Sequence, residues 1–283
     1  MSSSQRNFEG VIKLSENALK FSAGVTLFNP TFEEMNNVIK YATIFDKVYV
    51  YDNSVEEYDR SSLNRASIEI VSQGSNDGVG KACRVMTEKA KQDQFDFIML
   101  FDQDSIMDHD NIMRIIGFIR SQEVEAMIYS PQIVFNKKTV IIKNGYKFVD
   151  WCITSGSVVK LDDYGKNITF DDNYFIDRVD KDFCYQVITN NKKICQVNNS
   201  LLYQQLGETS RNGYSIHQPF RHYYIARNRA YFNKKYKKSI LLTIFQSIRH
   251  IGIVIKNEPQ KKEKIKMIFK GISDYRKGKM GCM

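Results

Sequence analysis

The segment FDFIMLFDQDS, residues 95–105, predicts both the fold and part of a site. Its five consecutive apolar residues, 97–101, suit a strand that is buried on both faces, as in a parallel sheet. Asp102, Gln103 and Asp104 follow at once, and ligands of parallel sheets bind beyond the carboxyl ends of the strands. Two carboxylates at this spacing can hold a divalent cation together with a diphosphate. A turn that caps a helix would also explain them.

Strand-like and helix-like segments alternate on both sides of this stretch. Short apolar or β-branched runs predict strands at residues 21–28, 47–51, 68–71 and 126–129. Amphipathic runs predict helices at residues 31–42, 79–91 and 110–120. The first of these helices begins with a capping-box pattern, Thr31 with Glu34. This order predicts an α/β fold with a mostly parallel central sheet and helices on both faces.

The second half of the chain is less regular. Residues 151–159 suit a strand that would contain the TSGS segment, and residues 194–197 suit a shorter one. Helices are predicted at residues 180–189 and 217–236, followed by amphipathic stretches at 239–256 and 260–276. We expect an N-terminal extension (1–20), a catalytic domain (21–235) and basic C-terminal helices (236–283).

The positive charge is concentrated at the C-terminus. The net charge is +9, and residues 234–283 contain 14 Lys/Arg against 3 Asp/Glu. These charges are interspersed with Ile, Leu, Phe and Met, which suits an anionic membrane surface better than a nucleic acid. We therefore expect membrane contact and no nucleic-acid partner. A helical hairpin packed on the body of the protein is the alternative.

The remaining bulk features favour a reduced, cytoplasmic setting. The five cysteines contain no CxxC pair, which argues against structural zinc and a secreted disulfide framework. Residues 1–10 carry no apolar signal segment. Residues 240–255 are apolar but contain Arg249 and His250, so no membrane span is expected. We expect a peripheral protein at the inner face of the cell membrane.

Further polar clusters lie near predicted strand and helix ends. A carboxylate at the start of the helix predicted at 180–189 could take a proton from an attacking hydroxyl, although acids at a helix N-terminus are often merely solvated. Residues 76–80 could direct backbone N–H groups at a phosphate, or simply form a turn. Cations near a diphosphate are plausible in residues 217–228, where a core-lining helix is the alternative. The residues concerned there are His217, Arg221, Arg227 and Asn228.

Seven short segments, each weak alone, form a specific combination. They are GVTLFNP (24–30), VYDNS (50–54), NDGVGKA (76–82), LFDQDS (100–105), TSGS (154–157), FIDRVDKDFC (175–184) and HYYIARN (222–228). In content and order they resemble family 2 glycosyltransferases, and within these the bacterial rhamnosyltransferase-like group. The resemblance covers roughly residues 24–280.

The resemblance implies a GT-A fold, an inverting mechanism and a divalent metal, Mg²⁺ or Mn²⁺. It implies Asp180 as the catalytic base, and Asp104 with Asp102 as metal ligands. The implied donor-binding residues are Phe28, Asn29, Asp52, Asn53, Asn76, Gly78, Asp102, Gln103, Arg227 and Asn228. We expect Ser155, Gly156, Asp177 and His217 to bind the acceptor.

The group's usual donor is dTDP-L-rhamnose and its usual acceptor is a lipid-linked glycan of a cell-surface polysaccharide. Two alternatives stay open: a galactofuranosyl or other hexosyl transferase that uses a UDP-sugar, and a non-catalytic nucleotide-sugar-binding or scaffold protein at the membrane. One position departs from the group. Gln204 stands where members often have a histidine, so that metal ligand is missing or is supplied elsewhere, for example by His217.

Overall fold

Strands and helices alternate through the first half of the computed structural model, which describes residues 19–135, 144–204 and 216–283. The strands are β1 (Phe21–Leu27), β2 (Val48–Asp52), β3 (Ile68–Ser72), β4 (Phe97–Asp102), β5 (Ile128–Phe135), β6 (Tyr146–Val149), β7 (Val158–Lys160) and β8 (Ile194–Gln204). The helices are α1 (Phe32–Tyr41), α2 (Val79–Gln92), α3 (His109–Arg120), α4 (Val179–Thr189), α5 (Pro219–Lys235), α6 (Ile240–Asn257) and α7 (Lys261–Arg276). Most of the predicted extension 1–20 lies outside the described residues.

One sheet contains these strands in the order β3-β2-β1-β4-β7-β5-β8-β6. Strands β1 to β4 are parallel, and β5 and β8 run in the same direction. Strands β6 and β7 are antiparallel to their neighbours. The predicted mostly parallel sheet is therefore confirmed. The carboxyl ends of β1, β2, β4 and β8 consequently lie along one edge, which is where such sheets bind ligands.

Apolar side chains pack helices against both faces of the sheet. Phe97, Met99 and Phe101 of β4 belong to the core shared with α1 and α3. Ile98 and Leu100 belong to the core shared with α2 and α4. Successive side chains of a strand point to opposite faces, so the unbroken apolar run in β4 is explained by helices on both sides.

The segment around Gly156 differs from the sequence prediction. Residues 151–157 form a loop, and β7 begins only at Val158. Gly156 has φ +74°, and its N–H donates to the Leu100 carbonyl at 2.7 Å. An extended strand cannot adopt this backbone conformation, so the predicted strand 151–159 is wrong in its first seven residues. Strand β6 was not predicted, and β8 extends well beyond the predicted residues 194–197.

The C-terminal helices pack on α5. Ala226, Val254 and Ile268, one from each of α5, α6 and α7, form a small apolar core. A Cβ on Gly271 of α7 would lie 2.3 Å from the Tyr223 carbonyl oxygen of α5, so these two helices cross at a distance that only glycine permits. Within the described residues, no helix is long and apolar enough to span a membrane.

Candidate active site

Carboxylates from two separated stretches of chain lie together at the carboxyl edge of the sheet. Asp102 is the last residue of β4, Asp104 follows shortly after it, and Asp180 lies in the first turn of α4. Burial raises the pKa of Asp102 to about 7, and the negative charges of Asp180 and Asp104 contribute to the rise. Repulsion of this kind acts at close range, so the structure brings the acidic motif and the candidate base to one place.

One loop holds both stretches. Thr154 donates its backbone N–H to Asp180 Oδ1 at 2.9 Å and its hydroxyl to the same oxygen. Ser155 Oγ accepts the Asp102 N–H at 3.0 Å and donates to Ser105 Oγ at 2.7 Å. These two adjacent residues, the Thr154–Ser155 clamp, therefore fix Asp180 relative to the acidic motif.

Asp180 lies on the wall of a cavity of about 700 Å³, together with Asp177 and Trp151. Burial raises the pKa of Asp180, while the two hydrogen bonds from Thr154 oppose the rise, and the charge of Asp177 adds to it. A carboxylate with a raised pKa that faces a cavity is suited to accept a proton from a bound hydroxyl.

The backbone just before Asp180 is strained. Asp177 and Arg178 are consecutive non-glycine residues in the left-handed region, with φ of 64° and 69°. Such conformations cost about 1 kcal/mol or more each and persist only where neighbours enforce them. Asn228 Nδ2 does so by donating to the carbonyls of Ile176 at 2.7 Å and Asp177 at 3.0 Å.

Arg221 is a site residue that the resemblance did not single out. Its guanidinium donates to Asp177 Oδ1 at 2.8 Å, and its charge lowers the pKa of Asp102. The sequence contained a signal, because Arg221 lies in the first turn of α5, where the helix dipole disfavours a cation. A cation at that position indicates a carboxylate partner.

The structure places Arg227 and Asn228, two of the expected donor-binding residues, away from the protein surface. Both residues are 0% exposed. Arg227 Nη1 donates to the Gly281 carbonyl at 2.6 Å, and its Nε donates to Asn228 Oδ1 at 3.1 Å. Together with the Asn228 contacts, these bonds make the pair a support for the loop that precedes Asp180.

Asp52, another of the expected donor-binding residues, is likewise enclosed. It is 0% exposed, and its Oδ2 accepts from the Tyr58 hydroxyl at 2.9 Å and from Arg60 Nε at 2.8 Å. Burial alone would raise the pKa of Asp52, but the donors Ser54, Arg60 and Tyr58 hold it below its usual range. A nucleotide base that used Asp52 would have to replace Arg60.

The expected phosphate cradle at the start of α2 is occupied by another part of the chain. Val79 N–H donates to the Phe175 carbonyl at 2.7 Å, and Gly80 N–H donates to the Tyr174 carbonyl at 3.2 Å. A Cβ on Gly78 would lie 2.3 Å from the Phe175 carbonyl oxygen. The glycines therefore admit the loop before Asp180, and these amides are not free for a phosphate.

Asn53 and Asn76 also serve this region internally. Asn53 Oδ1 accepts the Asp77 N–H at 2.9 Å, and Asn76 Oδ1 accepts the Gly78 N–H at 3.2 Å. Asn53 is buried, whereas Asn76 is half-buried. Both shape the turn between β3 and α2 at the edge where the donor was expected.

Phe28, Asn29 and Gln103 lie at the expected edge, between the ends of β1 and β4. Gln103 Oε1 accepts the Phe28 N–H at 2.7 Å, and its Nε2 donates to the Phe28 carbonyl at 3.2 Å. The Phe28 ring is 49% exposed. Asn29 has φ 44°, and its N–H donates to Ser54 Oγ at 2.7 Å.

The expected acceptor residues divide into two groups. Ser155 is 2% exposed and Gly156 is also buried, so both support the site from within. Asp177 lines the cavity with Asp180. His217 is half-buried and lies close enough to Arg221 and Asp177 to be affected by their charges. Burial and the charge of Arg221 lower the pKa of His217, which favours its neutral form.

The chemistry of the acidic motif fits a divalent cation. Asp104 is exposed, yet partial loss of hydration raises its pKa, and burial raises the pKa of Asp102. A cation would relieve this unfavourable charge, and carboxylate oxygens are preferred ligands of Mg²⁺ and Mn²⁺. Within the described ranges no group of three His, Cys, Asp or Glu side chains is arranged to hold a metal ion. Phosphate oxygens and water would supply the other ligands.

Several known proteins resemble this chain in sequence or in fold. No family model matches the chain. The dTDP-rhamnosyl transferase RfbF of Shigella flexneri is 23% identical over 273 residues, which cover 86% of this chain and 91% of the relative. Residues 1–349 of S. aureus TarS match with a TM-score of 0.52 and 14% identity, over 92% of this chain and 72% of that one. TarS has also been solved with UDP and with UDP-GlcNAc.

A second solved structure has the same fold. GalNAc-T7, solved with UDP, GalNAc and Mn²⁺, matches with a TM-score of 0.54 and 11% identity. The match covers 68% of this chain and 44% of GalNAc-T7, so this chain spans less than half of that protein. These likenesses define the class of fold: it is the GT-A fold of glycosyltransferases, as the resemblance implied.

Proposed function

We propose that this chain is an inverting glycosyltransferase that moves a sugar from a nucleotide sugar to an acceptor hydroxyl. One observation carries the proposal: a single loop holds Asp180, which lines a cavity, next to the Asp102 stretch. Inverting sugar transfer requires a base and a group that stabilises the leaving nucleoside diphosphate. These two groups must lie on either side of one reacting carbon.

In the proposed reaction, Asp180 accepts the proton of the acceptor hydroxyl as that oxygen attacks the anomeric carbon. The bond between the sugar and the diphosphate breaks on the opposite side of this carbon, so the configuration inverts. Thr154 holds the Asp180 carboxylate in orientation. Mg²⁺ or Mn²⁺ bound at Asp104 and Asp102 would act as a Lewis acid towards the departing nucleoside diphosphate.

For the substrates we propose L-rhamnose transfer from dTDP-L-rhamnose to a lipid-linked glycan in cell-surface polysaccharide synthesis. The S. flexneri relative, a dTDP-rhamnosyl transferase, supports the donor. The alternative donor is a UDP-sugar, used by a galactofuranosyl or other hexosyl transferase. TarS bound to UDP-GlcNAc and GalNAc-T7 bound to UDP favour that alternative.

Thermal-shift measurements with dTDP, UDP and GDP separate the two donors. A nucleotide present at 100 times its dissociation constant stabilises the folded protein by about 2.7 kcal/mol, whereas one that does not bind leaves the melting temperature unchanged. We expect the largest shift with dTDP. A larger shift with UDP would replace the rhamnose assignment with the hexosyl alternative.

The base assignment is tested by Asp180→Asn. We expect kcat to fall about 10²–10⁴-fold, because the variant lacks a proton acceptor, while affinity for the nucleotide is kept. Asp162→Asn, at an exposed carboxylate outside the cavity, is the control and should keep full activity. Loss of nucleotide binding in Asp180→Asn would indicate a structural role instead. A purified wild type that neither transfers nor hydrolyses any nucleotide sugar would favour the non-catalytic alternative.

We also propose that residues 236–283 contact the anionic inner face of the cell membrane. Helix α6 exposes Leu241 (72%), Phe245 (64%) and Ile248 (64%), large apolar side chains that its packing on α5 leaves uncovered. Lysines at both ends of the helix supply the positive charge that such a surface attracts.

A further inference from the structure

The cavity that contains Asp180 is lined by charges of both signs. Its wall carries three carboxylates and two cations: Asp150, Asp177, Asp180, Arg178 and Lys181. Asp177 pairs with Arg221 at 2.8 Å, which leaves two carboxylates against two cations. An ionised ligand of either sign would be repelled by part of this wall. A neutral ligand with hydroxyl groups can donate to the carboxylates and accept from the cations, so the charges favour an uncharged, hydroxyl-rich molecule.

The same wall carries a large exposed aromatic side chain, Trp151. This residue is 55% exposed, and Ile188 and Ile225 extend the apolar part of the wall. Aromatic side chains beside a few polar groups are typical of ligand cavities, and the negative face of an indole attracts C–H groups. A sugar ring has C–H groups on its faces and hydroxyls around its edge. An aromatic surface next to carboxylates is therefore complementary to a sugar ring.

Two contacts hold the segment after Trp151 to α4, the helix that carries the candidate base. Cys184 of α4 lies with its sulfur 3.9 Å from that of Cys152 and donates its thiol to the Cys152 carbonyl at 3.5 Å. Two residues further on, Thr154 donates to Asp180. Both contacts are internal to the protein, so the position of the aromatic side chain relative to the base is fixed before any ligand binds. Such preorganisation is what orients a reacting group.

We propose that Trp151 determines acceptor specificity by stacking on the sugar ring that receives the transferred sugar, and that this ring is uncharged. The inference rests on the proposed function and names the residue that selects its acceptor. One face of the ring lies on the indole, and a hydroxyl at the edge of the ring donates to Asp180. The remaining hydroxyls meet the carboxylates and cations of the cavity wall.

Contact with a membrane would be another reason for an exposed tryptophan, because tryptophan is enriched at membrane interfaces. The surroundings of Trp151 disfavour it. The preceding residue, Asp150, is itself exposed, and Asp180 lines the same cavity. An anionic lipid surface attracts basic side chains, whereas it repels carboxylates. The neighbours of Trp151 therefore favour a sugar over a lipid surface.

Fluorescence titration tests the stacking without any turnover. Trp151 is the single tryptophan of the chain, so tryptophan emission reports on this position alone. The probes are the methyl pyranosides of glucose, galactose, rhamnose and N-acetylglucosamine, with methyl glucuronide as the charged counterpart of the glucoside. We expect at least one neutral glycoside to change the emission saturably and to protect the indole from acrylamide. Methyl glucuronide should bind at least about tenfold more weakly than the tightest neutral glycoside.

Substitutions separate a contact with the sugar from a structural effect. We expect Trp151→Ala to weaken binding of the tightest neutral glycoside about tenfold or more, with the affinity for dTDP or UDP unchanged. Trp151→Phe keeps an aromatic face and should retain most of the glycoside affinity. Phe148→Ala is the matched control, because Phe148 is 49% exposed and lies outside the cavity lining, and it should bind as wild type does. Saturation-transfer NMR measures glycoside binding by all of these proteins.

Several results would overturn the proposal. One is the absence of a saturable change in emission with any neutral glycoside up to about 0.1 M, and another is tightest binding by methyl glucuronide. Equal glycoside affinity in Trp151→Ala and wild type would remove the stacking. Loss of dTDP or UDP affinity in Trp151→Ala would place the indole at the donor. Loss of binding to phosphatidylglycerol vesicles, with glycoside affinity unchanged, would assign it to the bilayer.

The sugar site and the transfer reaction can fail separately. A wild type that transfers no sugar, yet binds neutral glycosides through Trp151, would reject the transferase and retain the sugar site. A wild type that transfers sugar, and whose Trp151→Ala variant binds glycosides equally well, would retain the transferase and reject the role of Trp151.

Discussion

At the scale of single residues, the protonation of Asp180 depends on its neighbour in the Thr154–Ser155 clamp. Thr154 directs two donors at one carboxylate oxygen, and these bonds hold down a pKa that burial raises. A base is active only when it is ionised, so this neighbour sets the lowest pH at which the proposed reaction proceeds.

Thr154→Val tests this dependence. Loss of the hydroxyl donor raises the pKa of Asp180 further, because the charged carboxylate loses a hydrogen bond. We expect the acid limb of the pH profile of kcat/KM to move to higher pH, with little change at alkaline pH. Thr154→Ser retains the hydroxyl and should keep the wild-type profile. Identical profiles for the valine variant and wild type would contradict the role of the clamp.

Asp102 makes the stability of the metal-free protein depend on pH. Its pKa is about 7 in the folded protein against an ordinary value of 3.8, so the folded state binds the proton more tightly than the unfolded state does. The resulting stabilisation is complete below pH 3.8 and is lost as pH rises through 7. Urea denaturation in the presence of a chelator measures the free energy of unfolding. For the wild type we expect this free energy to fall between pH 5.5 and 8. At pH 8 we expect Asp102→Asn to be more stable than the wild type by about 1–3 kcal/mol. The same dependence of the unfolding free energy on pH in both proteins would contradict the raised pKa of Asp102.

The sequence predicted Asp102, Asp104 and Asp180 because local patterns mark them, at the end of an apolar strand and the start of a helix. It could not predict the internal partners of Asp52 and Arg227, for a physical reason. Each is fully buried by partners from other segments, Arg60 in one case and the Gly281 carbonyl in the other. Burial by distant residues leaves no local pattern, so a motif alone cannot distinguish a contact with ligand from a support.

At the scale of the elements, the position of the candidate base depends on how closely α2 approaches the loop before Asp180. Gly80 lies in the first turn of α2, and a Cβ there would lie 2.5 Å from the Tyr174 carbonyl oxygen and 2.6 Å from that of Asp171. Both contacts are with backbone, which cannot rotate aside as a side chain can. This loop, and with it Asp180, can occupy its position only because residue 80 is a glycine and has no side chain.

Gly80→Ala should therefore destabilise the protein by about 1–3 kcal/mol and lower activity by displacing the loop. Gly117→Ala is the matched control, since Gly117 lies in α3 with nothing within 4 Å of its Cβ position. That variant should be more stable by about 0.5–1 kcal/mol, because alanine favours a helix. Urea midpoints and specific activities check both. Unchanged stability and activity in Gly80→Ala would contradict the close approach between α2 and this loop.

Elements with a complete local signal were predicted well. Helix α1 begins at the predicted capping box, in which Thr31 N–H donates to the Glu34 carboxylate at 2.6 Å. The loop at residues 151–157 was mistaken for a strand because Trp, Ile and Val suit strands, whereas its shape is set by contacts with Leu100, Asp102 and Asp180. A prediction from composition cannot include such partners.

At the scale of the whole molecule, the exposed apolar face of α6 is the feature to test for membrane contact. Phe245→Glu places a charge on that face and should reduce sedimentation with phosphatidylglycerol vesicles at least several-fold. Phe32→Glu alters an equally exposed phenylalanine on α1 and should have no effect. Equal binding of both variants and wild type would contradict membrane contact through α6. Point variants suit this question better than truncation, because α5 relies on buried partners from beyond α6, such as Glu258 at 3.0 Å from His222.

The capping of α2 by the Tyr174 and Phe175 carbonyls also constrains how the molecule acquires its shape. During synthesis the first helices and strands emerge from the ribosome long before these acceptors do, and contacts between distant segments form slowly. The site would then be among the last parts to assemble, after the sheet has already collapsed. Refolding followed by hydrogen exchange should show protection of the Gly80 amide later than of the amides in β1 and β4.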